Sequence, residues 1–132
     1  MATTKIVNGG LAIVTNRMKG SGTEPLNIGW GTGAGTTAIT DSTLFTEAKV
    51  DLTAGSTDHT VGTSARVTTT STNDGYQVTG TRTATGAGTV TNAGLWDAAS
   101  GGNLWLKGDF TGIVLGVGDA IAFTATGTFT TS

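Results

Sequence analysis

The sequence predicts an all-β fold, an antiparallel β-sandwich or jelly roll that forms a single domain over residues 1–132. Three observations point there. The chain holds 30 Thr and 22 Gly against a single proline; threonine, branched at Cβ, fits a pleated surface, and glycine supplies tight turns. The strong helix formers Glu, Lys, Arg, Gln and Met are scarce. Short strand-like runs recur between clusters of Gly, Asn, Asp and Ser, the rhythm of a sandwich or barrel. A chain of this length buries roughly two-thirds of its unfolded surface, enough for one core without staples.

The elements follow in order. Residues 1–10 read as an extended N-terminal arm, and Leu11-Ala-Ile-Val-Thr15 as a first strand. Residues 19–24 form a polar loop, and Pro25 to Ile28 lead into Gly-Trp-Gly-Thr-Gly-Ala-Gly-Thr-Thr-Ala at 29–38. At most one short helix is expected, near 41–48, where Asp41 or Ser42 could cap it and Leu44, Phe45 and Ala48 share a face. Residues 63–72 read as a strand ending in the turn signal Asn73-Asp74-Gly75. The returning strand, 76–84, puts Tyr76 and Val78 on one face and Gln77, Thr79, Thr81 and Thr83 on the other. Strands at 89–97 and 104–110 flank the loop 98–103, and Ile113 to Leu115 lead to a turn at 116–119. The last run, 120–130, holds Ile121, Phe123, Ala125 and Phe129 in phase.

Composition narrows the function. Net charge is −2 with 12% charged residues, and the seven Lys and Arg are scattered, so no basic footprint marks a nucleic-acid partner. With no cysteine, disulfides and thiolate metal sites are excluded. No apolar run reaches the roughly 18 residues of a membrane helix, and the N-terminus lacks the apolar core of an export signal. The glycine-rich stretch fails as a phosphate cradle: no Gly-Lys pair occurs in the chain, and no amphipathic helix follows Gly35. His59, the one histidine, sits beside Asp58 and reads as a solvated loop residue; no Gly-x-Ser-x-Gly elbow and no calcium loop are present. The reading is a protein with no catalytic residue, no cofactor and no metal.

The tryptophans carry the remaining signal. Period two places Leu104, Leu106 and Phe110 on one face of their strand and Trp105, Lys107 and Asp109 on the other. A large aromatic on a polar face marks a contact surface, unless a neighbouring loop covers it. Trp30, within the glycine stretch, reads as the anchor of that loop, and Gly31, Gly33 and Gly35 as points of close backbone approach. Trp30, Gly31, Gly33, Gly35, Trp105, Lys107 and Asp109 are therefore the candidate partner contacts. Trp96 is assigned to the core beside Val90.

Five stretches together resemble a known group: Asn27–Ala38, Asp41–Ala48, Val67–Ala84, Asn92–Phe110 and Gly118–Thr124. In that order they resemble small structural proteins of tailed bacteriophage virions, of the capsid cement or decoration type. The resemblance implies a β-rich virion component on the outer capsid surface, assembled in the host cytoplasm. It implies as partners the major capsid protein lattice and further copies of itself as a homo-oligomer, a trimer, with neither nucleic acid nor membrane. It brings no catalytic motif. The alternatives are a tail or fibre-associated module that contacts the host, and a carbohydrate-binding β-sandwich using Trp105 and Trp30 as a sugar platform.

Overall fold

The computed structural model describes residues 3–130. Among them are nine strands and one helix: β1 (Thr3–Ile6), α1 (Gly9–Lys19), β2 (Asn27–Gly31), β3 (Glu47–Ala48), β4 (Thr60–Val61), β5 (Thr63–Val67), β6 (Gly75–Thr83), β7 (Gly88–Trp96), β8 (Leu104–Leu115) and β9 (Ala120–Thr128). The expected all-β sandwich is observed. Six strands form one sheet in the order β1-β8-β7-β2-β3, with β4 also paired to β2; three form the other, in the order β5-β6-β9. Every pairing is antiparallel.

Two local expectations are overturned. Residues 11–15 are not a strand but the middle of α1. The spacing explains it: Gly10, Ile13, Val14 and Arg17 share one face, of which Gly10 and Ile13 are buried, while Leu11 is exposed. Arg17 and Lys19 in the last turn complement the helix dipole. Gly20, at φ 88°, ends the helix: its N–H donates to Arg17 O at 3.0 Å and that of Ser21 to Asn16 O at 2.8 Å. The N-terminal stretch read as an extended arm contains β1, which is paired with β8 from Thr3↔Asp109 to Ile6↔Leu106.

The helix expected at 41–48 is absent; only Glu47 and Ala48 are regular, as β3. Thr46 has φ 47°, which breaks a right-handed helix. The Asp41 carboxylate, the proposed cap, instead accepts from Ala38 N–H and Lys107 Nζ.

The core between the sheets has two parts. Ile13, Ile28, Val78, Leu95, Trp105 and Leu106 form one, with Tyr76, Phe123 and Ala125 packed against it. Trp30, Ala48, Ala84, Val90 and Leu115 form the other. A third cluster, Val7, Leu44, Trp96 and Leu104, lies on the opposite face of the large sheet. Trp96 is thus buried, as expected, but among these residues and not beside Val90. Phe129, expected in phase with the last strand, falls beyond β9 and is half exposed.

Candidate functional site

The outer face of the large sheet is where the sequence placed a contact surface, and a strap of chain covers it. The strap runs from Thr32 to Thr46, between β2 and β3. Asn92 on β7 pins it from both sides: Phe45 N–H donates to Asn92 Oδ1 at 3.0 Å, and Asn92 Nδ2 donates to Phe45 O at 3.1 Å. Lys107 on β8 donates to Asp41 Oδ2 and to Thr43 O, both at 2.9 Å, and its ammonium lies 3.2 Å from the Phe45 ring centroid. Asp109 accepts from Thr37 N–H at 2.8 Å. Asn8 N–H adds a bond to Ile39 O at 2.7 Å.

The glycines of this region make room for the strap. A Cβ on Gly31 would collide with Phe45 O and the Asn92 amide. One on Gly35 would lie 2.7 Å from the Phe45 ring, and one on Gly33 2.6 Å from Thr46 Oγ1. These are close approaches of the chain to itself, which only glycine permits.

The predicted contact residues are therefore corrected in place. Trp30 is fully buried: its indole N–H donates to Lys49 O at 3.0 Å, and the Arg82 guanidinium lies 4.8 Å from its ring centroid. It is core rather than a partner contact. Gly31 is buried and Gly33 half-buried; Gly35 alone of the seven is exposed. Lys107 is buried under the strap, and Asp109 is partly covered by it.

Trp105 is buried for a different reason. Leu95 pairs with Leu106 but Trp96 pairs with Leu104, so Trp105 is the extra residue of a β-bulge. The bulge exchanges faces: Leu104 joins the outer cluster, while Trp105 joins Leu106 in the inter-sheet core. There Trp105 meets the Tyr76 ring edge-on at 5.3 Å between centroids. Strict alternation fails here, as it does again at the register shift between Val90 and Asn92, and this position carried the Trp105 contact assignment. The two tryptophans of the suggested sugar platform are thus both inside the protein.

A buried polar cluster adjoins the strap, and sequence reasoning missed it. His59, 8% exposed, is held rather than solvated. Nδ1 lies 2.8 Å from Ala98 O, Nε2 lies 2.6 Å from Glu47 Oε1, and the ring stacks on Trp96 at 5.2 Å and 13°. Ala98 O can only accept, so the Nδ1–H tautomer is the one that makes this hydrogen bond. Gly29 leaves the space: a Cβ there would lie about 3 Å from Trp96, Glu47 and His59 together. Next to it, buried Arg82 binds Asp58 Oδ1 at 2.7 Å, Asp58 O at 2.6 Å and Thr60 Oγ1 at 2.9 Å. Both ring nitrogens of His59 are committed, so the cluster ties the 47–60 and 97–103 segments to the sheet. Its one sequence signal is the Asp58-His59-Thr60 run, which resembles any polar loop.

Hydrogen bonding also sets the charge state of the strap. Asp41 is held below the usual carboxylate range, first by the Ala38 N–H and then by Lys107. Asp109 is lowered chiefly by its hydrogen bonds from Thr37. The exposed residues of the strap are uncharged: Ala34, Gly35, Thr36, Thr40, Ser42, Thr43, Thr46 and Ile39, the last 53% exposed. Among the described residues no group of three or more His, Cys, Asp or Glu is placed to hold a metal ion, and no helix is long and apolar enough to cross a membrane. No family model, curated protein or solved structure matches the chain.

Proposed function

We propose that this protein is a structural component of a tailed-phage virion, a cement protein that binds the outer face of the head as a homo-oligomer and stabilises the shell. The observation that carries the reading is how the five resembling stretches are used. They supply β2 with its strap, the β6 hairpin, the β7–β8 pair and the start of β9. Together they make a rigid scaffold whose outward residues on the strap and β9 are uncharged Thr, Ser, Ala, Gly and Ile. A decoration protein needs such a scaffold, because many weak contacts add over a repetitive lattice and modest single-site affinity suffices. Binding the assembled shell then stabilises it by mass action. A trimer is the oligomer that matches local threefold positions on a lattice. With Trp105 and Lys107 inside, attachment falls to the outer surface of the strap, centred on Ile39.

The test is to strip particles of this protein and add back wild type or Ile39→Asp. Wild type is expected to rebind at moderate salt, since few charges contribute, and to raise the temperature at which heads release DNA. The variant is expected to do neither. Equal rebinding by both, with no change in release temperature, would refute attachment through the strap. Recovery of the protein only in tail fractions would favour the fibre-associated alternative.

A further inference from the structure

We infer that β9 is a pairing edge for a second copy of this chain, joined antiparallel to its own β9 across a two-fold axis. β9 ends the three-stranded sheet, and among the described residues nothing bonds to its far side. Exposed strand edges are normally blunted by charge, proline, bulges or short length. β9 has none of these. Its nine residues, Ala-Ile-Ala-Phe-Thr-Ala-Thr-Gly-Thr, include no charge and no proline, and its register with β6 runs unbroken from Gly75↔Thr128 to Thr83↔Ala120. The other edge strands are shorter: β1, β3 and β5 carry Lys5, Glu47 and Arg66, and β4 is only two residues long.

Two further observations select a second copy as the occupant. An antiparallel pair is itself two-fold symmetric, and a neutral strand sets no like charges opposite one another. Among the described residues, two of the eight exposed large apolar ones flank β9. Val117, 76% exposed, lies in the turn before it, and Phe129, 50% exposed, just after it. Full-length antiparallel pairing brings Phe129 of each copy beside the turn that holds Val117 of the other, so both become covered.

This contact stands apart from the virion reading and makes its own statement about symmetry. Alone it yields dimers; added to the trimer contact proposed above it yields hexamers. The experiment is sedimentation velocity on the full chain across a concentration series. The wild type is expected at two or six times the 13.1 kDa chain mass. Thr124, exposed on the outward face of β9, tests the edge without touching the core. Thr124→Lys is expected to halve the particle mass with its thermal midpoint unchanged at low concentration. Mixing it with Thr124→Glu is expected to restore the even-numbered particle. A wild type that stays monomeric throughout, an odd-numbered wild-type oligomer, or a Thr124→Lys variant of unaltered mass would overturn the proposal.

Discussion

At the scale of single residues, Trp105 decides most. It fills the space between α1, Tyr76 and the small sheet: a Cβ on Gly10 would lie 2.7 Å from its Cδ1, and one on Gly127 would touch the far end of the indole. Trp105→Ala therefore leaves a large void and is expected to cost about 3–5 kcal/mol, read as a lower urea midpoint at unchanged slope. An unchanged midpoint would place Trp105 outside the core. Alternation along β8 correctly separated Leu106 and Phe110 from Lys107 and Asp109, because period two holds where the ladder is regular. It misplaced Leu104 and Trp105, because a bulge is a property of two strands and leaves no mark in one of them. His59 was misread for a related reason. Its partners Glu47, Trp96 and Ala98 lie 12 to 39 residues away, and nothing local announces them.

At the scale of elements, α1 and the strap behave differently. α1 was legible in hindsight through its C-terminal stop, Arg17-Met-Lys-Gly20, but its apolar run Leu-Ala-Ile-Val suits a buried strand equally well. Gly20→Ala is expected to cost about 1 kcal/mol, because its left-handed conformation strains any side chain. Gly10→Ala is expected to cost more, about 1–3 kcal/mol, because it drives into Trp105. Both are read from thermal midpoints, and equal effects would contradict the helix docking described.

The strap was legible only as a glycine-rich loop. That it lies flat on the sheet depends on Asn92, Lys107 and Asp109, whose partners are remote in sequence. Its carboxylates make it acid-sensitive. Asp41 and Asp109 titrate lower folded than unfolded, so their contribution is present above the ordinary carboxylate range, about pH 4, and is lost as pH falls through their lowered values. Amide exchange within 32–46 is therefore expected to rise below about pH 4 before the β6–β9 ladder opens. In Asp41→Asn that exchange is expected to be faster at neutral pH and less dependent on acid. Strap and ladder opening together at all pH values would contradict a separately pinned strap.

At the scale of the whole molecule, the fold class was readable because it is written redundantly: thirty threonines, turn signals and alternating runs all agree. The contact surface was not, because it depends on which face of the large sheet the strap leaves outside. An uncharged strap on one side and an unblunted edge strand on another suit a protein made to be repeated on a surface. The central claim, that the chain is an outer component of a phage head, is tested most directly by quantitative mass spectrometry of separated heads and tails from the source particle. Head fractions are expected to hold on the order of hundreds of copies per particle, as lattice decoration requires. Its absence from heads, or a count of tens confined to tails, would contradict the account.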